Sequence, residues 1–190
     1  MNILLVDNYD SFTYNLVHLL RKVTGSNDKI DIIKNDKIEI DKVSIYDKII
    51  ISPGPGIPSE AGNLMPLLER WSKEKPILGI CLGHQAIGEA FGAALSNLAK
   101  PLHGICSDIN ITSSKYIFKN LDNKIAVGRY HSWIVSNENF PDCLEITSVD
   151  ENNQIMSLSH KEYDVHGLQF HPESILTPSG AQLIKNFLFN

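Results

Sequence analysis

The sequence predicts an α/β protein: an open, mostly parallel sheet flanked by helices, with additional antiparallel strands. Three observations predict it. Over the first hundred or so residues, short apolar runs alternate with segments of helical period, the pattern of parallel strands joined by crossover helices. Beyond about residue 100 the apolar runs shorten, Ser, Asn and Asp become more frequent, and the spacing becomes that of hairpins. The chain then closes with an amphipathic helical segment.

The runs "ILLV" (3 to 6), "DIIK" (31 to 34), "KIIIS" (48 to 52) and "PILGIC" (76 to 81) are expected to be buried strands. Between the first two, Phe12, Leu16, Leu19, Leu20 and Val23 fall on one helical face, with Asp10 or Ser11 placed to cap it. Leu67, Leu68 and Trp71 mark a second helix, with Pro66 tolerable only in its first turn. After Cys81, the residues Ile87, Ala90, Phe91 and Ala94 again recur at helical spacing. In the second half, "ENNQ" (151 to 154) separates "LEITSV" from "IMSLSH" as a hairpin turn would, and "VHGLQF" (165 to 170) is a further strand. Thr177 and Pro178 are placed to cap and begin a final helix whose apolar face is Leu183, Ile184, Phe187 and Leu188.

The chain has 190 residues, enough for one domain with a substantial core, and no linker, repeat or low-complexity stretch divides residues 1 to 190. With 17 basic and 22 acidic residues the formal charge is -5 and no basic stripe occurs, so nucleic acid and anionic membranes are not expected partners. The first apolar run ends at Asp7, too short for the core of a signal peptide or for a membrane span, and a cytoplasmic protein is expected. Cys81, Cys106 and Cys143 are odd in number and widely spaced, which argues for reduced thiols over a disulfide framework or structural zinc.

Cys81 admits two readings. Unpaired cysteine is commonly a small buried hydrophobe. Here, however, Gly79 and Gly83 flank it as G-x-C-x-G at the passage from strand to helix, the thiol counterpart of a nucleophile elbow. Such a turn lifts the side chain from the core, leaves the N–H of Leu82 free to bind an oxyanion, and sets the sulfur at a helix N-terminus, which favours thiolate.

Two further segments fit that chemistry. "SPGPG" (52 to 56) is either a plain Pro-Gly turn or a second loop of oxyanion donors, and it lacks the Lys and Ser/Thr of a phosphate loop. In "QFHPES", His171 follows a strand directly, and Glu173 can turn back toward the same imidazole with Pro172 restricting the chain between them. That is either a surface turn or the base and orienting carboxylate of a Cys-His-Glu triad. His18, His84, His160 and His166 have ordinary helix or strand positions, and no metal-ligand spacing occurs.

Taken in order, "SPGPG", "GICLGHQ" and "GLQFHPES" resemble the class I glutamine amidotransferases. "DNYDSFTYNL" and "RYHSW" (129 to 133) extend the resemblance over essentially the whole chain, toward the branch that supplies ammonia to chorismate-using synthases, the small subunits of anthranilate and aminodeoxychorismate synthase. The resemblance implies Cys81 as nucleophile, His171 as general base and acid, Glu173 as its orienting partner, and the N–H groups of Gly54 and Leu82 as oxyanion donors. It implies a site for L-glutamine made by Gly54, Pro55, Gly56, Gln85, Ser132 and Trp133.

The implied partner is a chorismate-using large subunit, in a heterodimer or heterotetramer. No cofactor is expected in the present subunit, and magnesium is expected on the synthase partner. Anthranilate is the expected product, with aminodeoxychorismate, or service to both synthases, as the alternative. "DNYDSF" is the candidate partner contact. A non-catalytic module that stabilises its partner, or a free-standing cysteine hydrolase, are readings from other classes, and the intact triad argues against the first. Two positions depart from the family pattern. Ile105 stands in "HGI" where lysine is usual, and Trp133 replaces a smaller leucine.

Overall fold

The computed structural model describes residues 1–190. Its strands are β1 (Asn2–Asp7), β2 (Lys29–Lys34), β3 (Lys48–Ile51), β4 (Ile77–Ile80), β5 (Leu95–Asn97), β6 (Ile105–Ile111), β7 (Lys124–Arg129), β8 (Trp133–Val135), β9 (Leu144–Val149), β10 (Ile155–His160) and β11 (Val165–Leu168). Its α-helices are α1 (Thr13–Val23), α2 (Leu64–Trp71), α3 (Leu82–Ala90) and α4 (Gly180–Phe189).

One nine-stranded sheet has the order β2-β1-β3-β4-β11-β10-β9-β6-β7, and β5 pairs with β8 apart from it. The first five strands of that order are parallel, and the remaining four are antiparallel. β11 joins the two halves, running parallel to β4 and antiparallel to β10. The α/β class and the hairpin at 151 to 154 are therefore as expected from the sequence.

β1, β3 and β4 have apolar centres because both of their faces are covered, whereas β2, at the sheet edge, carries Lys29, Asp31 and Lys34 and has no buried residue, which corrects the buried strand expected of "DIIK". In β1, Ile3 and Leu5 face one core with Leu16, Leu20, Leu183 and Phe187 of α1 and α4. Leu4 and Val6 face the other, with Leu67, Leu68, Ala86 and Ile87 of α2 and α3. No helix is long and apolar enough to cross a membrane.

Three other local expectations need correction. α1 begins at Thr13 without a side-chain cap; the Asp10 carboxylate instead accepts the Phe12 N–H at 2.6 Å, so Phe12 stands before the helix and off its core face. α3 ends at Ala90, and Gly92 at φ +96° turns the chain away, which leaves Ala94 outside the helical face. Thr177 does not cap α4, because its hydroxyl is committed to the His171 loop.

Candidate active site

The loops that carry Gly54, Cys81, His171 and the "DNYDSF" segment leave the carboxyl ends of four neighbouring strands, β3, β4, β11 and β1, where open α/β sheets place their sites, while Ser132 and Trp133 come from the passage between β7 and β8. The local sequence explains how each loop is held there.

Cys81 follows β4 directly and precedes α3, with φ 51° and ψ −99°. This is a sparsely populated conformation for a non-glycine residue, costing about 1–3 kcal/mol, and it has to be imposed by neighbours. Its N–H continues the sheet by donating to the Leu168 carbonyl at 2.7 Å, while the flanking glycines remove obstacles. A Cβ on Gly79 would collide with the Gly83 carbonyl, and one on Gly83 would lie 2.9 Å from Ile51. The first intrahelical bond runs from Gln85 N–H to the Cys81 carbonyl at 3.0 Å, so the N–H of Leu82 at the helix start lies ahead of the α3 ladder.

The loop after β3 is braced by β1. Asn8, 2% exposed, donates from Nδ2 to the Ser52 carbonyl at 2.8 Å and from its main chain to Ser52 Oγ at 2.9 Å. Gly54 then packs so tightly that an added Cβ would lie 2.5 Å from Asn8 Cβ and 2.6 Å from Leu82 Cδ2. The two predicted oxyanion residues, Gly54 and Leu82, are therefore in contact.

β11 delivers the imidazole. His171 is 2% exposed; its N–H donates to the Gly128 carbonyl at 3.0 Å, and its own carbonyl accepts from Thr177 Oγ1 at 2.7 Å. Nδ1 lies 2.7 Å from Glu173 Oε1, and the Glu173 side chain is wholly enclosed. That contact places a proton on Nδ1 of the neutral ring and leaves Nε2 as the working nitrogen. Burial opposes the charged imidazolium, but the Cys81 sulfur and the Glu173 carboxylate outweigh it and raise the pKa to about 10. No close hydrogen bond joins Nε2 to the sulfur: Nε2 is buried without a partner, yet at a range from which Cys81 still favours its protonation. Catalytic contacts are often loose before substrate binds. Phe12 and Tyr130 pack edge-on against the ring at centroid distances of 5.3 and 4.9 Å.

A pocket of about 220 Å3 is lined by Gly54, Pro55, Gly56, Cys81, Gln85, Tyr130, His131, Ser132 and Trp133. It is smaller than the roughly 300–1,000 Å3 of pockets for drug-sized ligands and suits one small amino acid. All six residues expected to form the glutamine site line it beside Cys81. A larger cavity of about 500 Å3, around Tyr116, Asp164 and His166, contains neither Cys81 nor His171 and is not the centre of this chemistry.

The sequence did not single out several residues that build this region. Gln169, two residues before His171, donates from Nε2 to Cys81 Sγ at 3.7 Å. Arg129 and Asp150 form a buried ion pair at 2.7 Å, and Arg129 Nε donates to His131 Nε2 at 3.2 Å. His131 is held neutral, its pKa pushed down to about 3 by burial and by the Arg129 charge. "RYHSW" and "GLQF" contained Arg129, His131 and Gln169, but only their contacts give them a role. Ile105 opens β6 opposite Arg129 with 46% of its surface exposed, and nothing in the structure explains isoleucine there.

The fold agrees with the comparison to known proteins. The chain belongs to the class I glutamine amidotransferases: the family model "Glutamine amidotransferase class-I" matches residues 4–190. Among its relatives, it is 46% identical over 189 residues to anthranilate synthase component 2 of Cyanophora paradoxa, covering 98% of this chain and 97% of that one. It is 43% identical over 188 residues to aminodeoxychorismate synthase component 2 of Klebsiella aerogenes, with 98% of each covered. It is also 43% identical to the bifunctional protein TrpGD of Thermotoga maritima, but spans 32% of that longer protein. The crystal structure of a putative GMP synthase subunit from Thermoplasma acidophilum superimposes with a TM-score of 0.87 at 27% identity, covering 99% of this chain and 92% of that one.

Proposed function

We propose that this amidotransferase releases ammonia from L-glutamine through Cys81, His171 and Glu173, and passes it to a chorismate-using synthase subunit. The observation that carries this reading is the pocket that joins Cys81 to Gly54, Pro55, Gly56, Gln85, Ser132 and Trp133.

The Cys81 sulfur attacks the side-chain carboxamide carbon, and the carbonyl oxygen takes the negative charge opposite the Gly54 and Leu82 N–H groups. His171 carries the proton taken from the thiol and returns it to the departing nitrogen as the C–N bond breaks, giving ammonia and a glutamyl thioester. Water deprotonated by His171 then attacks the thioester carbon, the C–S bond breaks, and glutamate leaves. Glu173 holds the ring so that one nitrogen faces the reaction. Gln85 spends Nε2 on the Trp133 carbonyl at 2.9 Å and on Gln169 Oε1 at 3.3 Å, so it offers substrate its carbonyl oxygen, an acceptor for N–H groups of glutamine.

Two relatives named as component 2 of two-component synthases, alike over nearly their full length, support a large partner subunit. Anthranilate synthase is the preferred partner, and any magnesium requirement belongs to that partner. The aminodeoxychorismate relative supports the second product at nearly equal identity. Tyr9, 51% exposed at φ 61° beside the site mouth, is a contact for the partner, whereas Asn8 of the same "DNYDSF" segment is buried structure. A cytoplasmic setting follows from chorismate chemistry and free thiols.

The experiment is Cys81→Ala in complex with its synthase. Glutamine-dependent synthesis should vanish while ammonia-dependent synthesis persists, and mass analysis of the product distinguishes anthranilate from aminodeoxychorismate. Glutamate release at the normal rate by the variant would remove Cys81 as nucleophile.

A further inference from the structure

Gln169 is fully buried and has no part in the bond-making steps above. Its position is nevertheless singular, because its two amide atoms touch two different parts of the site. Oε1 accepts from Gln85 Nε2 at 3.3 Å, and Nε2 donates to Cys81 Sγ at 3.7 Å.

The orientation of this amide follows from its neighbours. Gln85 Nε2 also donates to the Trp133 carbonyl at 2.9 Å, which requires the nitrogen of Gln85 on that side. Gln85 therefore presents an N–H to Gln169, and Gln169 answers with its oxygen, turning its own NH2 to the sulfur. The contact lies in a buried setting, where polar groups are held to the partners they have. A thiol is a weak acceptor, whereas a charged acceptor makes roughly twice as strong a bond. A fixed donor at the sulfur consequently holds it in one place. The main chain adds rigidity: Gln169 N–H donates to the Met156 carbonyl at 2.9 Å, and the preceding Leu168 carbonyl holds the Cys81 N–H at 2.7 Å.

We propose that Gln169 is a positioning residue that holds the Cys81 sulfur in place for attack and ties its placement to Gln85 at the wall of the glutamine pocket. This rests on the reading of Cys81 as nucleophile. The continuous line Trp133 carbonyl, Gln85, Gln169, Cys81 makes a disturbance of the pocket wall reach the sulfur without crossing the oxyanion loop. Loss of Gln169 disturbs both ends.

The test uses the full chain and iodoacetamide, which reacts with thiolate. Alkylation of Cys81 is followed against pH by peptide mass, because Cys106 and Cys143 are exposed and react as well. Gln169→Met, close in size but with neither amide group, should slow alkylation of Cys81 at neutral pH about tenfold, the equivalent of one lost hydrogen bond. Its KM for glutamine should rise severalfold through the loosened Gln85. A residue with only a packing role would lower thermal stability and leave the alkylation rate in place. Gln169→Leu serves as the second variant if the first fails to fold. An alkylation profile that superimposes on that of the unaltered protein, in either folded variant, overturns the inference. If the unaltered protein neither alkylates at Cys81 nor hydrolyses glutamine with its synthase, the nucleophile reading itself fails, which is a separable outcome.

Discussion

The Nδ1 atom of His171 lies 2.7 Å from Oε1 of Glu173, and the two side chains are 2% and 0% exposed. A buried carboxylate beside an imidazole strengthens its charged form and fixes its orientation. Their separation by one proline places them on the same side of the turn, and the turn is anchored to β7 through Gly128.

Glu173→Gln keeps the shape of this contact and removes its charge. Because Glu173 is among the groups that raise the His171 pKa, the variant should have a lower one. The ring is then a weaker base for the thiol and water protons, and kcat for glutamine hydrolysis should fall by about 10²-fold, within the range of a general acid-base contribution. The alkaline limb of the pH-rate profile, measured in the synthase complex, should move to lower pH. An unmoved limb would remove the carboxylate from the triad.

Thr177 should prove a stability determinant with a catalytic consequence. Its hydroxyl donates to the His171 carbonyl at 2.7 Å and accepts the Gly128 N–H at 2.9 Å, both buried. Thr177→Val is nearly isosteric and strands both groups, at about 1–3 kcal/mol for each buried group left unpaired. Urea unfolding measures the loss, and a fall in kcat greater than in Cys81 alkylation would locate the damage at His171. Stability equal to that of the unaltered protein would mean that the loop is held by other contacts.

Acid should destabilise the protein below neutrality. Burial pushes the His84 pKa down to about 3, with a small opposing contribution from the nearby Gly167 backbone, and the His131 pKa likewise to about 3. Folded-state values below the unfolded value of about 6.5 mean that only the unfolded chain takes up these protons as pH falls between about 6.5 and 3. Stability is thus full above about pH 6.5, and the two histidines together remove about 4 kcal/mol between pH 7 and 5. His171 has the opposite sign, since its raised pKa stabilises the fold below the unfolded value, but that contribution is nearly complete by pH 7 and returns less than about 1 kcal/mol. Urea unfolding at pH 7 and 5 measures the difference, and equal stability would show that these imidazoles ionise freely.

Much of this was legible in the chain itself. β1, β3 and β4 fell on apolar runs because a strand covered on both faces has no polar side to show, whereas β2 at the sheet edge mixes Lys and Asp with its isoleucines. Cys81, His171 and Glu173 were legible because their surroundings constrain local backbone: glycines on either side of the thiol, and a proline between base and carboxylate. Thr177 misled, since a threonine before proline is a good cap by local rules, yet its hydroxyl found two buried partners, one six residues back in its own loop and one 49 residues away on β7. Phe12 misled in the same way, falling at helical spacing but packing on His171.

By itself, the sequence determined the α/β class and offered the elbow at Cys81 and the pairing of His171 with Glu173 each as one of two readings, because each depends on periodicity or on residues within a turn of one another. Only the tertiary structure decided that Gln169 reaches the sulfur and Gln85 together, that Asn8 braces the loop of Gly54, and that Thr177 holds His171. Those contacts join residues from 6 to 88 positions apart. Sheet order sets all but the last of them, by bringing β1, β3, β4 and β11 side by side, and no local pattern in the chain encodes which strand ends will be neighbours.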